Sequence, residues 1–257
     1  YGAYDVYTPA IVKSLTSRQE FLTSYTPYQP EVSQGTLQYI FEYQSFICEI
    51  TDMDVTNASM YDGPTATAEA VFMAIAQTGR KKIVYSKTVH PRIVEVVKTY
   101  GHYRDLEFVE LPEKDGVSDL SKLADLATDS AAVLLQSPNV YGNIEKLNGV
   151  AGIIHNAGSL FIMNTEISSL ALFNTPGKLG ADIACGDLQS LGVPLSFGGA
   201  YIGFLAAKTP LLRKMPGRIC GITTDQDGKR AFVLTLQARE QHISRAKANS
   251  NICSNQS

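Results

Sequence analysis

Short apolar runs alternate with amphipathic stretches through the middle of the chain, which is typical of a protein built from alternating strands and helices. The predicted strands are 82–86, 107–111, 132–136 and 160–164, and the predicted helices between them are 91–100, 120–127 and 144–157. Such an alternation requires crossover connections between neighbouring strands. It therefore predicts a mostly parallel sheet with helices on both faces, an α/β fold in three layers, α/β/α.

Three further helices are predicted in the first eighty residues. Pro9 favours a helix start, because proline is well tolerated in the first turn. Ser33 is a candidate N-cap for a helix that runs to about Ile50. Pro64 suits the start of a third helix, which we expect to stop at Gly79. The helix after Ser33 carries apolar side chains on two faces, which indicates a position inside a core or at a boundary with a partner. The two faces are Leu37, Ile40, Phe41, Ile47 and Cys48, and Tyr39, Tyr43, Phe46 and Ile50.

The last third of the chain holds two apolar runs on either side of a polar turn. Strands are predicted at 183–185 and 201–207, with the trio Leu188-Gln189-Ser190 and the pair Gly198-Gly199 between them. Farther on, the pattern of Leu234, Leu236, Arg239 and Arg245 predicts a long helix from about Ala231 to Ala248.

Length and charge exclude several classes of protein. A chain of 257 residues can bury one large core, so we expect a single domain over 1–257. Its formal net charge of -3 leaves no basic excess to neutralise the phosphates of a nucleic acid. No apolar run approaches the roughly 20 residues that span a bilayer. The four cysteines lie far apart without a C-x-x-C pair, which argues against zinc and a disulfide framework and favours a reducing cytoplasm.

No metal site is predicted. The four histidines are isolated and have no metal-ligand spacing. The stretch from Asp225 to Gly228 begins like a calcium loop, but the twelfth position, where a bidentate glutamate is required, is Leu236.

Four long strings resemble a known family. They are YTPYQPEVSQGTLQ (25–38), NASMYDGPTATAEA (57–70), QSLGVPLSFGG (189–199) and MPGRICGITTDQDGKRAFVLTLQAREQHI (215–243). Matches of this length are far more specific than a lone glycine motif. Together they resemble the P-protein family of the glycine cleavage system, glycine dehydrogenase (decarboxylating), and within it subunit 1 of the two-subunit form. The resemblance runs over about 2–256. Because family members extend beyond both ends, we expect the chain to be a truncated fragment.

The resemblance implies the large domain of a fold-type-I transferase that depends on pyridoxal phosphate (PLP), with most of the small C-terminal domain missing. In such enzymes a lysine before the glycine turn forms a Schiff base with the cofactor. Here no Lys or Arg lies between Lys178 and Lys208, and Ser190 stands at the lysine's position. A serine cannot form an imine. We therefore expect no catalytic residue and no covalently bound PLP in this chain.

Other positions of the inherited pocket have two interpretations. The junction from Asp62 to Thr67 offers free N–H groups that could hold a cofactor phosphate, or it is an ordinary capped helix. His90 stands where these enzymes stack a residue on the cofactor ring, or it caps a helix. Asn164 stands where a ring-pairing Asp is expected, with Glu166 close by. Because Asn is neutral and the lysine is absent, we interpret this region as a decayed cofactor pocket.

The segment Tyr25-Thr26-Pro27-Tyr28-Gln29-Pro30 is predicted to be a stiff, ordered loop, since two prolines exclude it from a helix or a central strand. Tyr25 and Tyr28 offer large apolar faces with polar tips, which suit a partly buried interface. In fold-type-I enzymes the active sites lie at subunit boundaries. Tyr25, Tyr28 and Gln29 are therefore our candidates for contact with a partner's cofactor; the alternative is that the tyrosines pack on this chain's own core.

A local basic cluster stands out in the acidic chain. It is usually a solvated surface, but it could dock an acidic partner or a carboxylate. The cluster comprises Arg213, Lys214, Arg218, Lys229 and Arg230.

The resemblance implies a non-catalytic subunit of a PLP-dependent glycine decarboxylase. Its partners would be P-protein subunit 2, which carries the lysine and PLP, and the lipoyl H-protein, which receives the aminomethyl group after glycine has lost carbon dioxide. One rival is an independent PLP lyase of the aldolase or β-eliminating type, which needs a lysine near Ser190. A second rival is a pure assembly scaffold that never touches an active site.

Overall fold

A seven-stranded sheet forms the centre of the protein, whose computed structural model describes residues 3–199 and 201–254. The strands are β1 (Val55–Thr56), β2 (Lys82–Ser86), β3 (Glu107–Leu111), β4 (Glu113–Lys114), β5 (Val117–Ser118), β6 (Ser130–Gln136), β7 (Leu160–Asn164), β8 (Ile183–Asp187), β9 (Gly203–Ala207), β10 (Ile219–Thr224) and β11 (Arg230–Thr235). The sheet order is β1-β9-β8-β7-β6-β2-β3. Strands β8, β7, β6, β2 and β3 run parallel, and β9 is antiparallel to both of its neighbours. The predicted mostly parallel sheet is confirmed.

The helices cover both faces of this sheet. They are α1 (Ala10–Thr16), α2 (Gln34–Thr51), α3 (Gly63–Thr78), α4 (Pro91–Gly101), α5 (Leu123–Ala127), α6 (Val150–Asn156) and α7 (Gln241–Ser244), with short 3-10 turns at Gln19–Phe21, His102–Arg104, Leu120–Lys122, Ile167–Ala171, Gln189–Leu191, Thr209–Lys214, Gln237–Arg239 and Arg245–Lys247. Ile83 and Ile162 pack with α3 and α4, whereas their neighbours Val84 and Phe161 pack with α5 and α6. This alternation of side chains across the strands produces the three predicted layers. No helix in the described part of the chain is long and apolar enough to cross a membrane.

Helix α2 joins the sheet to the β10–β11 hairpin. Ser33 occupies its N-cap as predicted, but the Ser33 hydroxyl forms no capping hydrogen bond within the described chain. Of the predicted second apolar face, Phe46 is 63% exposed, so that face is only partly covered. Two glutamines of α2 attach the hairpin: Gln44 pairs with both backbone groups of Cys220 and Gln34 with both of Phe232, at 2.8–3.0 Å.

The predicted long helix from Ala231 to Ala248 is wrong. Its first part is β11, which pairs with β10 in an antiparallel hairpin, and its later part holds only short turns. Burial in β11 has period two, with Phe232 and Leu234 buried and their neighbours less so. The turn that begins at Asp225 and contains Gly228, at a φ of 76°, closes the hairpin.

The predicted helix over 144–157 is correct only for α6. Gly149 adopts a left-handed conformation with a φ of 79°, which a right-handed helix cannot continue through. Upstream of Gly149, the carboxylate of Glu145 accepts hydrogen bonds from the hydroxyl of Thr88 and the backbone N–H of Ser118. These contacts hold the start of the segment in a non-helical conformation.

Candidate functional site

The carboxyl ends of the parallel strands meet the N-terminus of α3 at one edge of the sheet, which is where α/β proteins bind ligands. Asn164 ends β7 and Asp187 ends β8. Ser190 lies in the short 3-10 turn after β8, and Gly63 is the first residue of α3. The fold thus brings together most of the pocket positions that the sequence singled out.

The carboxylates of Asp62 and Asp187 accept hydrogen bonds from backbone N–H groups at the N-terminus of α3. Asp62 forms a capping box, in which its Oδ1 accepts from the N–H of Thr65 at 2.8 Å and the Thr65 hydroxyl accepts from the N–H of Asp62 at 3.3 Å. The N–H of Gly63 donates to Oδ1 of Asp187 at 2.5 Å. A Cβ on Gly63 would lie 3.0 Å from Cγ of Asp187, so glycine permits this close approach. The free donors expected for a phosphate are therefore used internally.

Asp187 is held in an environment that disfavours its charge. Burial raises its pKa to about 6, with a further contribution from the nearby Asp62 carboxylate, while the hydrogen bond from Gly63 opposes the shift. The negative charges of Asp62 and Asp187 would also repel any anion placed at this helix end.

Ser190 forms a hydrogen bond with a carboxylate. Its hydroxyl donates a short hydrogen bond to Oε1 of Glu166. Glu166 also caps the turn that follows it, by accepting from the backbone N–H groups of Ser168 and Ser169 at 3.1 and 2.9 Å. Partial burial acts to raise the pKa of Glu166, but the hydrogen bonds from Ser168 and Ser190 outweigh it and lower that pKa. Glu166 therefore stays ionised and fixes Ser190.

Asn164 is fully buried at the end of β7. Its Nδ2 donates to the hydroxyl of Thr67 in α3 at 2.8 Å. The amide therefore links the sheet to α3 and presents no negative charge to the pocket.

His90 is the N-cap of α4, where its Nδ1 accepts from the N–H of Arg92 at 3.2 Å. Partial burial lowers the pKa of the imidazole, which favours the neutral form that capping requires. The hydrogen bond from Arg92 therefore supports the helix-capping interpretation of His90.

Together these residues do not fit PLP in this chain. Ser190 stands where the lysine is expected, the neutral Asn164 stands where a residue is expected to pair with the protonated ring nitrogen, and the helix end expected to bind the phosphate holds the carboxylates of Asp62 and Asp187. A cofactor phosphate there would meet like charge at a helix end whose donors are already in use.

Sequence reasoning missed two residues of this site. Tyr4, from the N-terminal arm, lines a small cavity together with Thr165, Glu166, Asp187 and Ser190, and its N–H donates to Oε1 of Gln189 at 2.9 Å. Asp187 had a usable signal, since a polar residue directly after an apolar strand marks a ligand-facing strand end. No local signal placed Tyr4, because its contact spans 185 residues.

The predicted loop of Tyr25 and Tyr28 belongs to no helix or strand and contacts residues near the end of the described chain. Tyr25 donates its hydroxyl to the carbonyl of Cys253 at 2.7 Å, and Tyr28 meets the ring of His242 edge-on at 6.0 Å between centroids. The two tyrosines are 58% and 63% exposed, so they do not pack in this chain's core. Gln29 is also exposed. The loop lines a different cavity from that of Ser190.

The predicted basic cluster is not one surface. Arg218 is 6% exposed and donates to the Thr26 hydroxyl at 2.7 Å, so it neither is solvated nor docks a large partner. Arg213 and Arg230 are exposed. Lys229 lies 3.6 Å from a carboxylate oxygen of Asp227. All four cysteines are free thiols, and within residues 3–199 and 201–254 no set of three His, Cys, Asp or Glu side chains could hold a metal ion.

Sequence comparisons with known proteins indicate one family over the whole chain. The family model of the glycine cleavage system P-protein matches residues 1–257. "Probable glycine dehydrogenase (decarboxylating) subunit 1" of Geobacillus kaustophilus is 54% identical over 256 residues, covering 99% of this chain and 57% of the relative. The same subunit of Carboxydothermus hydrogenoformans is 54% identical, with 99% and 58% coverage. The chain therefore spans somewhat more than half the length of these relatives.

Solved structures give the same result for the fold. A crystal structure of glycine decarboxylase (P-protein) of the glycine cleavage system, in inhibitor-bound form, superposes with a TM-score of 0.94 at 46% identity, covering 99% of this chain and 57% of that one. A cysteine desulfurase from Thermococcus onnurineus superposes with a TM-score of 0.62 at 17% identity, covering 86% of this chain and 56% of that one. The second likeness concerns the fold alone, which is that of fold-type-I PLP enzymes.

Proposed function

Because the chain belongs to the glycine cleavage system P-protein family, we propose that it is the non-catalytic subunit of a two-subunit glycine decarboxylase. In this proposal PLP and its lysine belong to the partner, subunit 2. The partner removes the carboxylate of glycine as carbon dioxide and passes the aminomethyl group to the lipoyl H-protein. This chain completes the partner's site, and the complex works in the cytoplasm.

The observation that carries the proposal is the internal satisfaction of the inherited cofactor site. Asp187 accepts a hydrogen bond from the N–H of Gly63, and Glu166 accepts one from the hydroxyl of Ser190. A site whose polar groups are hydrogen-bonded within the chain keeps its shape without a cofactor. This is expected of a subunit that serves in assembly and contributes a surface to the complex. This argues against the rival of an independent PLP lyase.

The exposed loop favours a role at the partner's site over a pure scaffold. Tyr25 and Tyr28 keep more than half of their surface open, although Pro27 between them is buried and fixes the loop. Rigid exposed tyrosines at low entropic cost are typical of interface residues. Their exposure in a single chain is the behaviour expected of side chains that a second subunit covers.

Reconstitution tests this function. The full-length subunit, the lysine-bearing subunit and the lipoyl H-protein are purified separately, and release of carbon dioxide from carboxyl-labelled glycine is measured. We expect release only when both subunits are present, and borohydride reduction should label a lysine of the partner alone. Full activity of the partner without this subunit would support a scaffold, and a stoichiometric label on this chain would support an independent PLP enzyme; either result contradicts the proposal.

A further inference from the structure

The described chain begins with a long segment that buries nothing. We call residues 3–25 the N-terminal arm; every one of them is exposed. Two contacts fasten the arm to the body of the protein: the N–H of Tyr4 donates to Oε1 of Gln189 at 2.9 Å, and the ring of Phe21 meets the ring of Tyr39 edge-on, with 5.8 Å between their centroids. Between these contacts, the arm and the body line an open cavity of about 590 Å³.

Helix α1 lies in this arm and buries none of its 7 residues. Isolated helices shorter than about 12–15 residues are marginal in water, because nucleation is costly and tertiary packing normally supplies the stability. The N-cap of α1 is Pro9, whose side chain forms no capping hydrogen bond. Helix α1 therefore requires a surface that the described residues do not supply.

The arm exposes apolar side chains and carries no net charge. Ile11 and Leu15 stand four residues apart on one face of α1 and are 63% and 47% exposed. The two acidic and two basic side chains of the arm cancel, and Arg18 pairs with Glu20 at 2.6 Å. A clustered apolar surface of this kind marks an interaction site, and it fits an apolar groove. The exposed large apolar side chains of the arm include Val6, Tyr7, Ile11, Leu15, Phe21 and Leu22.

We propose that the N-terminal arm crosses to the lysine-bearing partner subunit, where Ile11 and Leu15 enter an apolar groove. The inference rests on the proposed function, which requires such a partner, and it names the part of this chain that holds the two subunits together.

The position and the length of the arm favour this occupant. The arm starts beside Tyr4, which lines the cavity of Ser190, and leads without a break into the loop of Tyr25 and Tyr28, which the proposed function places against the same partner. It therefore runs between two parts of the chain that face the proposed composite site. With more than twenty exposed residues, the arm also supplies most of one side of a standard interface, which uses about 20–30 residues on each side.

Limited digestion with trypsin measures whether the arm is covered. Lys13 and Arg18 provide cleavage sites in the arm, and exposed Lys178, in the loop before β8, is the internal control. The full-length subunit is digested alone and with the lysine-bearing subunit, and peptide mass spectrometry follows each site. With the partner at ten times its Kd, we expect cleavage in the arm to slow by about tenfold, because the free fraction falls in proportion. Cleavage after Lys178 should keep its rate.

The possible outcomes separate this inference from the proposed function. Assembly of the two subunits with unchanged cleavage after Lys13 would overturn the inference alone, whereas failure of the subunits to associate would overturn both. Protection of the arm in the isolated subunit would also overturn the inference. Protection that does not depend on protein concentration would assign the arm to the rest of the full-length chain, and protection that rises with concentration would assign it to a second copy.

Matched substitutions test the apolar contact itself. The double variant Ile11→Ala and Leu15→Ala removes the apolar face of α1, so it should raise the Kd between the two subunits by about tenfold or more. Because neither side chain is buried in this chain, its own fold should persist. Lys13→Ala changes the opposite face of the same helix and should alter the Kd by no more than about twofold. Equal Kd values for the double variant and the unaltered protein would contradict the proposed docking.

Discussion

The backbone N–H of Gly63 and the carboxylate of Asp187 lie 2.5 Å apart, across 124 residues of sequence. This contact joins the first residue of α3 to the last residue of β8. A carboxylate at a helix N-terminus is stabilised by the helix dipole and by unused N–H donors. When it is ionised, Asp187 therefore supplies negative charge at the N-terminus of α3 from within the chain itself.

The first prediction concerns the pH dependence of this contact. Burial raises the pKa of Asp187 from 3.8 to about 6, so the folded state binds its proton more tightly than the unfolded state does. The contribution of Asp187 to stability is complete below about pH 4 and is lost as the pH rises through about 6. Asp187→Asn keeps an acceptor for Gly63 without the charge. Its free energy of unfolding, relative to the unaltered protein, should therefore increase between pH 4 and pH 7, by about 1–2 kcal/mol once partial exposure of the side chain is allowed for.

Urea unfolding at a series of pH values checks this prediction. Asp125→Asn, in the first turn of the exposed side of α5, is the matched control, and its difference from the unaltered protein should stay flat. A flat difference for Asp187→Asn as well would show that the carboxylate is not held as described.

The second prediction is that restoring the lysine alone does not restore cofactor binding. After Ser190→Lys, the new ammonium group meets the carboxylate of Glu166, which is the present partner of Ser190. Asp62 and Asp187 still satisfy the helix end. Borohydride reduction in the presence of PLP should leave no stoichiometric pyridoxyl-lysine in this variant.

Adding Asn164→Asp and Asp187→Ser should raise the labelled fraction, because these changes supply the ring-pairing charge and free the N–H of Gly63. The site of labelling is read by peptide mapping. Stoichiometric labelling of the single variant would contradict our account of the pocket.

The third prediction concerns Tyr28 in the reconstituted enzyme. Tyr28→Ala should lower kcat/KM for glycine by about tenfold or more without preventing assembly, because small misplacements at a composite site are costly to turnover. Tyr28→Phe keeps the ring and should lose less. Tyr103→Ala removes a tyrosine that is 91% exposed in the turn His102–Arg104, and it should behave like the unaltered protein. Normal turnover in both Tyr28 variants would make the loop purely structural.

The fourth prediction concerns the attachment of the hairpin to α2. Gln44→Leu should lower the free energy of unfolding by about 2–3 kcal/mol, because the buried N–H and carbonyl of Cys220 both lose their partner. Gln38→Leu lies on the same helix, and the amide of Gln38 donates to Glu42 on the exposed side. It should change stability by no more than about 0.5 kcal/mol. Similar values for the two variants would show that the glutamine pairing adds little.

Local pattern was sufficient for the parallel core of the fold. Strands β2, β3, β6, β7 and β8 are each short and largely apolar, with a helix, a turn or a glycine beside them, so the period of the sequence and the period of the structure coincide. The same reasoning failed in β11, which a longer pattern of Leu234, Leu236, Arg239 and Arg245 had assigned to a helix. The competing period-two pattern prevails there because β10 supplies a backbone to pair with, and that strand cannot be read from within the segment.

In the candidate site too, the sequence predicted some features and could not reveal others. The sequence was enough to place Ser190 in a turn after a strand and Asn164 at a strand end, since both depend on spacing from nearby motifs. It could not reveal that Asp187 bonds to Gly63 or that Tyr4 reaches Gln189, because these contacts join distant parts of the chain. The burial of Arg218 was missed for the same reason: a basic residue in a basic stretch has the composition of a surface.

The two glutamine pairs of α2 also bear on self-association. A two-stranded hairpin has two open edges, and the outward N–H and carbonyl groups on each edge can recruit a strand from another molecule. Gln44 occupies those groups at Cys220 on one edge, and Gln34 occupies them at Phe232 on the other. A single helix thus occupies the outward backbone groups of one residue on each edge, with side-chain amides that imitate a peptide bond. A strand from another molecule would have to displace Gln44 or Gln34 to pair along the full length of either edge.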